Sequence, residues 1–195
     1  MKERPILFSA PMVRALLNGS KTQTRRAVKP SPVADIRFCG GAYIPTNKHG
    51  DIAVEAPHIA SFSPYGQPGD RLWVRETFID ASSALHSCVI YRADGDDQAC
   101  GQSWKPSIFM PRWASRIMLE ITDVRVERLQ DISAADAQAE GIVPDGDGGW
   151  HLADTRHYMG DPISSYASLW EYINGPDSWE ANPWVWVIEF RKVTA

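Results

Sequence analysis

RIMLEITDVRVERLQDISAADAQAEGI, residues 116–142, changes character half-way along. Its first part, residues 116–129, is the longest strand-like run in the chain and is rich in Ile, Val and Thr, residues that fit a pleated, half-buried surface. From Asp131 onward the pattern is helical. Ser133 is a good N-cap, Asp136 stands three residues on, close to a capping box, and Gly141 ends the helix. A long strand therefore runs straight into a short helix. The question is whether its neighbours make this a repeating strand–helix fold or something else.

Working outward answers it. After the helix, residues 142–162 are a Gly- and Asp-rich loop. A second helix is expected over 164–174, stopped by Asn174-Gly175-Pro176, and the run WVWVIEFRKV gives a strand from Trp184 to Lys192. Before the long strand, Pro68-Gly69-Asp70 is a turn that opens a strand from Arg71 to Ile79, with residues 88–93 as its hairpin partner. At the start, residues 5–9 read as a short strand. A helix begins at Pro11 with Ser9 as N-cap; Met12, Ala15 and Leu16 share one face, Leu17 widens it, and Asn18-Gly19 stops it. Residues 29–68 hold many of the prolines and glycines and read as a long excursion with one hairpin; 94–114 is another long loop. The total is roughly five to seven strands and three helices without regular alternation, which predicts an α+β, mainly β fold, a small, mostly antiparallel barrel with flanking helices rather than a doubly wound sheet.

The 195 residues suggest one domain, 1–195, carrying insertions at about 30–66, 94–114 and 143–162. A hydrophobic fraction of 44% and a charged fraction of 23% are those of an ordinary globular chain. No stretch is apolar enough to span a membrane, and Pro5, Pro11 and Arg14 break the opening apolar patch, so no secretory segment is expected and the expected location is cytoplasmic. Cys39, Cys88 and Cys100 form no CxxC pair and, with the five histidines, match no zinc spacing, so neither a disulfide framework nor a metal or other cofactor is expected. The net charge of −4 argues against tight non-specific binding to duplex nucleic acid, but not against a local basic pocket for a nucleotide or a short single strand. Among the eight tryptophans, some are candidate stacking platforms for a base, the rest core.

Against that acidic background NGSKTQTRRA, residues 18–27, stands out: three cations, two threonines and no acid. As a strand it sends Thr22, Thr24 and Arg26 one way and Gln23 and Arg25 the other. One reading is a solvated edge protected by cations. The other is an anion or nucleotide pocket at the helix–strand junction, where Lys21 curls back towards Thr24. A desolvated lysine loses its charge more easily and can take a proton from a neighbouring hydroxyl. Such a pair needs an orienting carboxylate, and Glu76, Glu120 and Glu140 are all candidates on residue type alone.

Four pieces in order, GSKTQTRR (19–26), QPGDRLWVRE (67–76), RIMLEITDVRVERLQDISAADAQAEGI (116–142) and WVWVIEF (184–190), resemble the ASCH domain of the PUA-like superfamily. The whole chain is also similar to phage- and prophage-encoded proteins of this length. The resemblance implies a PUA-like β-barrel with a cleft lined by the lysine–threonine strand. It implies, by likeness to the small amidohydrolases that deacetylate N4-acetylcytidine, a catalytic set of Lys21, Thr24 and Glu140, acting without a cofactor on a modified nucleoside or single-stranded RNA. Residue type then suggests Arg26 for the oxyanion and Trp73 or Trp113 for stacking, with Glu76 and Arg112 completing the candidate substrate-binding set. Other members of the family are similar to RNA-binding modules or ribonucleases; a ribonuclease would call for further cations at the cleft, for which Arg112 and Arg116 are the candidates.

Overall fold

The structure is a computed structural model, which describes residues 1–28, 35–39, 42–47, 50–51, 62–82, 88–99, 101–152 and 160–193. In chain order the elements are β1 (Glu3–Leu7), α1 (Ala10–Leu17), β2 (Gln23–Ala27), β3 (Asp35–Cys39), β4 (Ala42–Asn47), β5 (Gly50–Asp51), β6 (Arg71–Arg75), β7 (Phe78–Asp80), β8 (Val89–Tyr91), β9 (Met118–Arg128), α2 (Ala134–Ala139), β10 (Ile142–Pro144), β11 (Trp150–Leu152), α3 (Pro162–Asn174) and β12 (Trp184–Val193). Short 3-10 turns occupy parts of 92–99, 107–114 and 129–131. Strand outweighs helix, the three α-helices are those expected, and the fold is α+β.

The central sheet has the order β1-β6-β9-β12-β2. The pairing is mostly antiparallel, as expected, but the closed barrel needs correcting. The β1–β6 pair is parallel, and among the described residues no ladder joins the edge strands β1 and β2. A single side chain reaches between them: Arg26 Nη2 donates to Leu7 O at 2.7 Å. The remaining strands form three small antiparallel units, β3-β4-β5, β7-β8 and β10-β11. The excursion after β2 thus holds a three-stranded unit where one hairpin was expected.

Residues 116–129 do form the spine of the sheet, as β9 pairs with both β6 and β12. Its buried residues are Leu119 and Ile121, then Val124 and Val126, so the alternation changes phase between them. The cause is a bulge: Glu189 lies opposite Asp123 and Phe190 opposite Ile121, leaving Thr122 unmatched. The same bulge frees Phe190 N to donate to Thr22 O at 2.9 Å, which seats the start of β2.

Around the sheet, α1 buries Met12, Val13, Ala15 and Leu16, while Leu17 is 38% exposed. Ser9 occupies the N-cap position of α1 but makes no side-chain cap. In α2, by contrast, the capping box forms in full, with Ser133 accepting from Asp136 N and the Asp136 carboxylate accepting from Ser133 N. Helix α3 begins earlier than its sequence pattern suggests, because Asp161 caps it through Ser164 N at 2.9 Å. The strand expected over 71–79 breaks at Glu76-Thr77 into β6 and β7. One continuous apolar core lies between the sheet and the helices, and a small satellite forms around Phe78, Met110 and Ala114.

Candidate functional site

Lys21 sits where the chain leaves α1. Gly19, at φ +84°, turns it, and Lys21 N donates to Ala15 O at 3.0 Å. Lys21 then forms an isolated antiparallel bridge to Glu140, the C-cap residue of α2, and Thr22 N donates to Ala139 O at 2.8 Å. Backbone pairing thus sets the two side chains side by side before either makes a contact of its own. Gly141 keeps the junction tight. At φ +99° it adopts a conformation that L side chains disfavour, and a Cβ there would lie 2.9 Å from Leu152 Cδ1 and 3.3 Å from Lys21 Cβ.

The Lys21 ammonium donates to Glu140 Oε2 at 2.7 Å and to Glu140 O at 2.8 Å. The two side chains are 0% and 4% exposed. Burial pulls the Lys21 pKa below the ordinary lysine range, and the adjacent carboxylate opposes that shift. Arg25 is equally buried. Its Nη2 lies 3.1 Å from Glu127 Oε2 and 3.6 Å from Asp136 Oδ2, and its Nη1 is 3.5 Å from Glu140 Oε1. The Glu140 carboxylate therefore stands between two buried cations, Lys21 on one oxygen and Arg25 on the other.

Thr24 is buried as well, and it borders a cavity of ≈ 50 Å³ together with Arg25, Arg26, Glu140 and Tyr166. The Tyr166 phenol, fully enclosed, is pushed far up its scale by desolvation and held neutral. Met12, Arg26, Leu169 and Ile173 are shared between this cavity and a larger, mostly apolar cleft of ≈ 830 Å³ that also takes in Phe8 and Tyr172. That volume lies in the range of small-molecule sites. Arg26 is the cleft's charged wall residue, its guanidinium 5.2 Å from the centre of the Phe8 ring.

The candidate residues divide into two groups. Thr24, Arg26 and Glu140 line the cavity, and Lys21 meets this group through its contact with Glu140. Trp73, Glu76, Arg112 and Trp113, of the candidate substrate-binding set, border neither this cavity nor this cleft. Trp73 lies on β6, which β9 and β12 separate from β2 and hence from Thr24, and the other three are held by partners of their own or exposed. Trp73 packs against the guanidinium groups of Arg75 and Arg112 at 5.0 and 6.0 Å, and Arg112 Nε holds Glu3 Oε2 at 2.9 Å. Trp113 is 58% exposed. Glu76 is buried, and both its oxygens accept from Arg116, at 2.9 and 3.0 Å, while Arg116 also forks onto Asp94. Glu120 pairs with Arg191 at the surface. Of the three candidate carboxylates, Glu140 alone meets Lys21.

Sequence reading passed over Arg25 and Tyr166. Strand alternation set Arg25 on the face opposite Thr24, and nothing in the sequence shows that α2 covers that face.

No family model, no curated protein and no solved structure matches the chain. Among the described residues, no helix is long and apolar enough to cross a membrane.

Proposed function

We propose that the chain is an amidohydrolase of the ASCH, PUA-like type that removes an acyl group from a modified nucleobase such as N4-acetylcytidine. The observation that carries this reading is the buried Lys21–Glu140 pair, whose Glu140 shares a small cavity with Thr24 next to an apolar cleft large enough for a nucleoside. Lys21, its charge disfavoured by burial, gives one proton to Glu140 Oε2, turns to the Thr24 hydroxyl as the neutral amine and takes that proton. Thr24 Oγ1 bonds to the acyl carbon, the C–N bond breaks, and the Lys21 ammonium returns a proton to the leaving amine. Water then opens the threonyl ester and releases the carboxylate, so the net reaction consumes one water per amide. Glu140 holds the lysine in place throughout. Arg25 and Arg26, both on the cavity wall, are the candidate donors for the oxyanion.

The test is release of cytidine from N4-acetylcytidine by the purified protein, compared with Thr24→Val, which removes only the hydroxyl, and Thr24→Ser, which restores one. Activity in the wild type and the serine variant, lost by about 10²-fold or more in the valine variant, supports the reading. No turnover at high enzyme concentration removes it.

A second reading has an observation of its own. Both hydrogen-bond acceptors of Lys21 Nζ are on Glu140, the geometry of a pin that closes the fold around a binding cleft without chemistry. Nucleotide or single-stranded RNA binding that persists in Thr24→Val, with no turnover, would favour that module. The ribonuclease reading loses its extra cations, because Arg112 and Arg116 are occupied away from the cleft.

A further inference from the structure

The ≈ 50 Å³ cavity has unfilled hydrogen-bonding capacity of both signs in its wall. Arg25 is 2% exposed, and its Nη1 and Nε make no hydrogen bond. Glu140 is 3% exposed, and its Oε1 makes none either. Nη1 and Oε1 lie 3.5 Å apart, too far for a good mutual bond. Buried donors and acceptors left empty are costly, and structures fill them. Arg26, the residue first assigned to the oxyanion, already spends Nη2 on Leu7 O. Met12, Leu169 and Ile173 give the wall an apolar part, beside Trp170, whose indole N–H also makes no hydrogen bond, and the polar Thr24, Tyr166 and Asn174. A group that accepts from Arg25, donates to Glu140 and buries a short hydrocarbon end matches this wall. A short-chain acyl group, –CO–CH₃, supplies the first and the third of these.

We propose that this cavity is the acyl subsite, that Arg25 Nη1 donates to the acyl carbonyl oxygen, and that the cavity admits a two-carbon acyl group and excludes a four-carbon one. The size limit follows from the volume, which holds on the order of one to three waters or an acetyl group. The leaving base then occupies the ≈ 830 Å³ cleft. As a statement about catalysis this rests on the amidohydrolase reading; as a statement about binding it does not.

Two experiments on the full chain separate the two. In ligand-observed NMR with acetamide, acetate and butyramide as probes, the wild type binds the two-carbon probes at least tenfold more tightly than butyramide. Arg25→Met, which keeps the buried stem and loses the guanidinium, binds acetamide at least tenfold more weakly while keeping the wild-type circular dichroism spectrum. In turnover, kcat/KM for N4-acetylcytidine exceeds that for N4-butyrylcytidine by at least tenfold. Leu169→Ala, which enlarges the apolar wall, narrows that ratio and lets butyramide bind; it carries the test if Arg25→Met does not fold. Acetamide binding without hydrolysis of either cytidine supports the subsite and removes the amidohydrolase reading. Hydrolysis that is indifferent to acyl length overturns the subsite and leaves that reading standing. Equal binding of acetamide and butyramide by the wild type, or undiminished acetamide binding by a folded Arg25→Met, also overturns it.

Discussion

Replacing Glu140 by Gln keeps the shape of the Lys21 contact and removes its charge. Lys21 and Arg25 are then two cations with fully enclosed side chains, and only Arg25 has other carboxylates, Glu127 and Asp136, within reach. Leaving a buried charge uncompensated costs about 3–5 kcal/mol. For a chain of this size about 2–4 °C of melting temperature goes with each kcal/mol, so Glu140→Gln is expected to melt roughly 6–20 °C below the wild type at neutral pH. The deficit has a pH signature. Without the carboxylate, the folded-state pKa of Lys21 falls further below its unfolded value. Between those two values the unfolded chain binds more protons than the folded one, so stability rises with pH across that window. Adding Lys21→Met to Glu140→Gln removes the stranded ammonium. The double variant should regain most of the loss and show no alkaline rise beyond that of the wild type. Guanidinium unfolding followed by tryptophan fluorescence at neutral and at alkaline pH measures all three. A loss under about 1 kcal/mol in Glu140→Gln, or strictly additive single and double variants, would refute a buried, mutually dependent pair.

Other perturbations have equally definite outcomes. Gly141→Ala should destabilise by more than about 1 kcal/mol and abolish any turnover, since its Cβ meets Leu152 and the root of Lys21 at a positive φ; thermal melts and the cytidine-release assay read the two effects. Arg116→Met strands Glu76, whose pKa burial already raises. Because the folded state then holds a proton that the unfolded state has lost, this variant should be about 3 kcal/mol less stable than wild type at neutral pH and recover part of that towards acid, as denaturant titrations at two pH values would show. Ser133→Ala removes the capping box of α2 and should cost about 0.5–2 kcal/mol by thermal unfolding. Trp113→Ala, at an exposed position away from the cleft, should change stability by no more than about 0.5 kcal/mol and leave turnover intact.

Local signals in the sequence located the elements well, and their partners poorly. The run at 116–129, the Ser133 cap and the Gly141 stop each depend on neighbours within a few residues, and each appears in the structure. Lys21 and Glu140 are 119 residues apart, and residue type alone left Glu140 level with Glu76 and Glu120. What separates the three is which cation each meets, a property of sheet order. The parallel pairing of β1 with β6 has no local signature either; it rests on Leu72, Val74 and Ile6 sharing a buried layer. Trp73 and Glu76 looked like site residues because they sit close together in an aromatic, charged stretch. Alternation along β6 leaves Trp73 half-buried against Arg75 and Arg112, and Glu76 lies just beyond the strand, where Arg116 holds it. Arg25 was hidden for the converse reason. Period-2 reasoning states which face a residue takes, and not whether a six-residue helix lies on it.

The order of strands in the central sheet also sets a timetable. β1 and β2 are its opposite edges, although only α1 and a short link separate them in the chain, and β12, which pairs with β2 and with β9, is synthesised after both. On a ribosome, the strand that follows Lys21 therefore has no ladder partner until Trp184–Val193 has emerged, and a native sheet cannot close around the site before then. During that interval Lys21 already has α2 available, and pairing across Lys21–Glu140 and Thr22–Ala139 would hold the basic segment in place while it waits. The buried Lys21–Glu140 pair would thus also act as a temporary clasp, shielding an unpaired strand from other nascent chains until its own partner arrives.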